Sequence, residues 1–239
     1  MISLVKHIIH RNFLLRLLLL AVMCIPLVYS KTFYEHFASY LTGTVADRVI
    51  REQWRTVFFN ILLFLAFLIP LSFRRKVRWS EYGLVSAFIV SLFFEMYGIP
   101  FTILLAQKWF YQATIQHPIT VLDFHFQGVF FGMDIPMAYG AGLIIIGVLL
   151  VIAGWITLYF GIKKKNLVTN GIYSFSRHPQ YLGFILLIGG WFIGWPTLLT
   201  IILSPILILK YIRVAQHEEK EIPDLIEYNR YKERVPFFI

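Results

Sequence analysis

What this chain has little of bounds it first. Cys24 is the one cysteine in 239 residues and lies in an apolar run, which excludes an internal disulfide and any zinc site built on several thiolates. Charged residues make up only 15%, with 22 Lys or Arg against 13 Asp or Glu. A water-soluble domain of this length does not hold so little charge when 58% of its residues are hydrophobic and 18% aromatic. Repeats, low-complexity tracts and linkers able to separate folded domains are all missing.

What is present is a series of apolar runs, with mean hydropathy +0.69. The composition predicts an all-α integral membrane protein of about six transmembrane helices, at 13–30, 57–73, 82–105, 138–160, 181–195 and 198–212. The first run reads as a retained helix rather than a signal peptide, because no small-x-small pattern precedes Lys31. After it, 31–55 reads as an amphipathic interfacial helix with Tyr34, Phe37, Tyr40 and Leu41 on its apolar stripe.

The formal charge of +9 would suggest nucleic acid in a soluble chain. Here the cations sit at the ends of apolar runs, at Arg74, Arg75, Lys76 and Arg78 and again at Lys163, Lys164 and Lys165. That is the pattern of cytoplasmic loops, so both termini are placed on the cytoplasmic side and no nucleic-acid partner is assigned. Glu95 lies near the middle of the third run, where a carboxyl is costly unless paired; a structural, hydrogen-bonded acid is favoured over a functional one. The long loop 108–136 carries Asp123, Asp134, His117 and His125 with a single lysine, and faces away from the cytoplasm. Its histidines match no ligand spacing, and no metal is assigned. Gly140, Gly142, Gly147 and Gly154 in the fourth run suit close helix packing in lipid.

The chemistry gathers in 167–183, LVTNGIYSFSRHPQYLG. Asn170-Gly171 is a turn dipeptide. Ser174 and Ser176 are candidate N-caps, and Pro179 fits the first turn of a helix starting near His178. Free amides there, with Arg177, suit a carboxylate or phosphate. Gly183, one turn in, allows a ligand or another backbone to approach.

The helix from Pro179 turns at Trp195-Pro196 and returns through 198–213, so Arg177, His178 and Tyr181 should neighbour Arg213, Glu218 and Glu219. The tail, HEEKEIPDLIEYNRYKERVPFFI, should fold over the mouth of this hairpin as a helix followed by an extended end. Such a lid excludes water.

These elements in order, LVTxGIYxxxRHPxYxG, a helical hairpin, EE, then YxxYxxxVP, resemble the C-terminal half of the isoprenylcysteine carboxyl methyltransferase family and the related phospholipid methyltransferases. The resemblance covers about the last 75 residues. It implies an S-adenosylmethionine-dependent membrane methyltransferase acting on a lipophilic acceptor that enters from the bilayer, with membrane lipids as its surroundings. By position, Arg177, His178, Tyr181, Gly183, Glu218 and Glu219 would bind the cofactor. Arg213 and Glu218 would be the catalytic positions, and Arg213, Tyr228 and Tyr231 would meet the acceptor. The chain departs from the family where IPDLI replaces an aromatic-Gly pair before the tyrosines, and at Trp195-Pro196.

Methyl transfer to an ionised carboxylate needs alignment and desolvation rather than a general base; an amine acceptor would need one. Other readings stay open: a phospholipid N-methyltransferase, an NADPH-dependent reductase of the sterol reductase type, which carries a similar RHPxYxG element, and a non-catalytic membrane protein. Residues 1–135 match no motif and are the candidate for choosing the acceptor; 136–239 form the methyltransferase-like core.

Overall fold

The computed structural model describes residues 17–41, 119–126, 129–162, 167–222 and 225–238. The runs at 57–73 and 82–105, Glu95, His117 and both basic clusters lie outside the described residues. The described helices are α1 (Leu17–Val28), α2 (Ser30–Leu41), α3 (Ile135–Ile162), α4 (Pro179–Gly194), α5 (Leu198–Lys220) and α6 (Leu225–Arg234). Among them Ile135–Gly161 is long and apolar enough to cross a membrane, with hydropathy 2.6, and α1 with α2 make a second candidate as a broken span.

The expectation of an all-α chain needs one correction. Within the predicted loop, β1 (Leu122–Phe126) and β2 (Val129–Met133) form an antiparallel hairpin pairing Leu122 with Met133 and Phe124 with Phe131. Pairing satisfies backbone groups that a loop would leave to solvent.

The chain divides into two compact units, one of Met1–Ser30, Ile145–Leu187 and Tyr211–Ile239, the other of Lys31–Ile144 and Ile188–Lys210. Each interleaves residues from both sides of position 135.

In the second unit Asp134 caps α3, its Oδ1 accepting the Met137 N–H at 2.8 Å, and Pro136 occupies the first turn, where no intrahelical N–H is needed. The other carboxylate oxygen, Oδ2, is 2.6 Å from His36 Nδ1, and His36 Nε2 donates to the Ile193 carbonyl at 3.1 Å. The imidazole is fully buried. α2 therefore turns Phe33, His36 and Ser39 inward, while of the predicted stripe Tyr34 is exposed and Phe37, Tyr40 and Leu41 are half-buried. A polar residue takes the inward face because both its ring nitrogens find partners there. Phe33 meets the Tyr139 ring edge-on, as Phe37 meets Phe192. Among the described residues His36→Leu leaves the buried Asp134 side chain with one backbone donor, and a buried acceptor that loses its partner costs about 1–3 kcal/mol. A clear fall in melting temperature in detergent is the expected result; an unchanged melt would show that the pair is dispensable.

Glycines set how closely α3 and α4 approach. Gly140, Gly147, Gly154 and Gly161 recur every seven residues on α3. In the first unit a Cβ on Gly147 would lie 2.6 Å from the Gly183 carbonyl oxygen, and one on Gly183 would lie 2.7 Å from that of Gly147. The second unit repeats this reciprocal contact between Gly140 and Gly190, at 2.6 and 2.5 Å. A Cβ on Gly142, also singled out in the sequence, would have nothing within 4 Å among the described residues. The opposite side of α3 exposes Ile145, Leu149, Ile152 and Ile156, a stripe suited to lipid.

Between α4 and α5, Trp195 closes the first helix and Thr197 opens the second. Thr200 Oγ1 accepts the Thr197 N–H at 2.8 Å and Thr197 Oγ1 accepts the Thr200 N–H at 3.1 Å. This is a capping box with threonine in place of the usual glutamate or glutamine.

Candidate active site

The first unit holds the site. Gly171 adopts φ +60, the left-handed conformation that favours glycine, and starts a short 3-10 turn, Gly171–Ser174. The chain then enters α4 with Pro179 as its first residue. The His178 carbonyl accepts the first helical bond, from Leu182 N–H at 3.0 Å. Neither predicted serine caps the helix: Ser174 Oγ donates to the Gly171 carbonyl, and Ser176 Oγ accepts the His178 N–H at 3.3 Å and donates to the Phe237 carbonyl.

α5 continues well past Arg213, so Glu218 and Glu219 are helical rather than part of the tail. Glu219 is the hub. Its Oε1 lies 2.7 Å from Arg177 Nη1 and 3.0 Å from His178 Nε2, and its Oε2 lies 3.1 Å from Lys232 Nζ. The Tyr181 hydroxyl donates to Glu218. One turn further along α4 Phe184 stacks on Tyr211, their rings 5.2 Å apart. The predicted convergence of Arg177, His178 and Tyr181 with the two glutamates is thus present. Arg213 stands outside it, exposed and without hydrogen bond or ion pair among the described residues.

The tail covers this ring. α6 buries Tyr228 and Tyr231, with Val235 after it, against Leu167 and Ile222. Tyr231 donates to the Tyr173 carbonyl at 2.6 Å, and Arg177 N–H donates to the Pro236 carbonyl at 3.1 Å. The Phe237 ring lies 4.7 Å from the His178 ring and 5.3 Å from the Arg177 guanidinium. Tyr228 and Tyr231, expected to meet the acceptor, are buried where α6 packs on Leu167 and Ile222. Gly183, expected at the cofactor, packs against the α3 backbone.

Burial holds the His178 pKa below its ordinary value, outweighing the nearby Glu219 and Glu218. For Glu219 burial acts upward but loses to hydrogen bonds from His178, Tyr228 and Lys232 and to the Arg177 charge, so its pKa is lowered. Near neutral pH the pair is therefore a neutral imidazole donating to a carboxylate, and the compensating charges are Arg177 and Lys232. Burial, and the neighbouring Glu219, raise the Tyr228 pKa; burial raises that of Tyr231 to about 12. Both stay protonated donors.

Arg177 is not spent on these contacts. Its Nε and Nη1 are buried without a hydrogen bond among the described residues; the 2.7 Å approach of Nη1 to Glu219 is a charge contact with the wrong angle. Buried donors left open at a site mark a place for an acceptor that is not among the described residues.

Sequence reasoning missed Lys232, Phe237 and the His36–Asp134 pair. The signal for the first was the spacing of Tyr228, Tyr231 and Val235, which fixes the buried face of α6 and brings the adjacent Lys232 to Glu219.

No curated protein and no solved structure matches this chain. Over residues 135–224, the segment from the start of α3 to just before α6, the C-terminal part of the chain matches the phospholipid methyltransferase family.

Proposed function

We propose that this chain is a multi-pass membrane methyltransferase using S-adenosylmethionine, with its site and both termini on the cytoplasmic side and a lipophilic acceptor entering from the bilayer. The observation that carries the reading is the cluster of Arg177, His178 and Glu219 beside Tyr181–Glu218, joining the start of α4 to the end of α5 inside the matched segment, with Lys232 of α6 reaching Glu219 from beyond it.

The residues fit the cofactor's charges. Arg177 has buried donors open to a carboxylate. Glu218, exposed and oriented by Tyr181, offers an acceptor for an ammonium or sulfonium. When bound, S-adenosylmethionine supplies an electrophilic methyl group. The chain's own residues hold the reactants in line and keep water out: Phe237 and His178 close one side, and Phe184 with Tyr211 give the lipid side an apolar wall.

For a carboxylate acceptor of the isoprenylcysteine kind this is enough, since the nucleophile is already ionised. The family match favours a second reading, an amine headgroup, for which Glu218 is the carboxylate placed to take the proton.

Calorimetric titration of detergent-purified protein with S-adenosylmethionine, S-adenosylhomocysteine and NADPH tests the assignment. The first two are expected to bind and NADPH not. NADPH binding alone would replace this reading with a reductase.

A further inference from the structure

Only 12% of the Arg177 side chain is exposed, and its Nε and Nη1 are enclosed. An anion from outside the chain therefore reaches these donors only after something moves. Among the described residues, the contacts of Arg177 come from Glu219 of α5 and from the tail. The Phe237 ring stands 5.3 Å from the guanidinium, Tyr228 lies beside the guanidinium and the Glu219 carboxylate together, and the Pro236 carbonyl accepts the Arg177 backbone N–H at 3.1 Å. Glu219 is fixed within a helix, so the part that can yield is the tail.

The tail is not held evenly. Up to Val235 it is anchored: Tyr228, Tyr231 and Val235 are buried against Leu167 and Ile222, Tyr231 donates to the Tyr173 carbonyl at 2.6 Å, and the Val235 N–H closes the last turn on the Tyr231 carbonyl at 3.0 Å. Beyond Val235 the chain has left the helix, and Pro236, Phe237 and Phe238 are only half-buried. Among the described residues two hydrogen bonds hold this stretch, the one from Arg177 N–H to Pro236 and a long one of 3.4 Å from the Ser176 hydroxyl to the Phe237 carbonyl. The Phe237 ring adds its contact with His178 at 4.7 Å. Short segments with few buried contacts open locally, well below the free energy of global unfolding.

We propose that residues 236–238 form a flap that lifts from Arg177 by turning at Val235 while α6 stays docked, so that a ligand carboxylate reaches the guanidinium only when Phe237 has moved aside. The flap lies beyond the family-matched segment and controls exchange at the site rather than the chemistry. Its role toward a ligand rests on the reading in which Arg177 takes the carboxylate of S-adenosylmethionine; its opening does not.

Arginine labelling with phenylglyoxal, read by mass spectrometry on the full chain in detergent without added ligand, tests the flap. Exposed Arg213 is the internal reference. In the wild type Arg177 should react about tenfold more slowly than Arg213. F237A should speed Arg177 about tenfold and leave Arg213 unchanged, since the ring supplies an aromatic and a cation–π contact. Arg177 labelled as fast as Arg213 in the wild type, or at an unchanged rate in F237A, would overturn the proposal. Amide hydrogen exchange of the wild type decides where the flap turns, even if F237A fails to fold: corrected for intrinsic rates, Arg177 N–H should exchange about tenfold faster than Val235 N–H, and equal rates would refute a flap that moves without α6. Stopped-flow binding of S-adenosylhomocysteine then reads the gate. The observed rate should level off with concentration in the wild type and keep rising in F237A; a wild-type rate that rises as steeply as in F237A would refute gating. Binding to neither protein would overturn the assignment of the cofactor to Arg177, while labelling and exchange still decide the flap.

Discussion

Glu219→Gln is expected to abolish S-adenosylmethionine binding and to release the C-terminal tail. The substitution keeps the size of the side chain and removes its charge, leaving the guanidinium of Arg177, itself mostly buried, with no ion-pair partner among the described residues. Removing one partner of such a pair costs about 3–5 kcal/mol, a large part of the 5–15 kcal/mol that stabilises a typical domain. The cost falls on the tail first, because Lys232 and Tyr228 reach α5 through the same carboxylate. Limited proteolysis should then cut within 225–238 far faster than in the wild type. A variant that resists proteolysis and binds the cofactor normally would remove Glu219 from the site.

Acid should mimic that variant. The His178 pKa is lowered, so between its folded and unfolded values the unfolded chain binds more protons, and stability falls as pH drops below the ordinary value of 6.5. The Glu219 pKa is also lowered, so its contribution is complete above the ordinary value of 4.5 and is lost as pH falls through the folded value. Both act in the same direction: docking of the tail weakens first by way of the imidazole, then further through the carboxylate.

Gly147→Ala is expected to disrupt the packing of α3 on α4, whereas Gly142→Ala leaves it intact. One added carbon on Gly147 would sit 2.6 Å from the Gly183 carbonyl oxygen and 3.0 Å from Leu187. The nearer obstacle is backbone and cannot rotate away, so the helices must separate. Overpacking of this kind costs about 1–3 kcal/mol or more, and the contact below Tyr181 opens with it. At Gly142 the new carbon meets nothing among the described residues, and alanine favours the helix by up to about 1 kcal/mol. Thermal unfolding of the two variants side by side separates close approach from helix propensity. Equal melting temperatures would show that the glycine stripe does not set the spacing.

The parts legible in the sequence are those fixed by nearby residues. Gly171 and Pro179 mark a turn and a helix start that the backbone bears out, Trp195-Pro196 marks the end of α4, and RHPQY and the double glutamate fall inside the segment that matches the phospholipid methyltransferase family. What was illegible depends on partners far along the chain. His36 and Asp134 lie 98 positions apart, and nothing around either one announces the other. Gly183 could serve a ligand or a neighbouring helix, and only the position of Gly147 shows that it serves the helix. The β-hairpin was hidden because aromatic residues between apolar runs satisfy a loop, a helix or a strand about equally well.

The bond between His36 and Asp134 means that the family-matched region is not a portable module. Cut out alone it would lose the buried Asp134, or keep it facing an empty place left by the imidazole, so α2 must travel with α3 whenever this architecture is inherited or recombined. Positions 36 and 134 are then expected to change together in descendants of this chain, to another complementary pair or to two apolar residues, and neither alone.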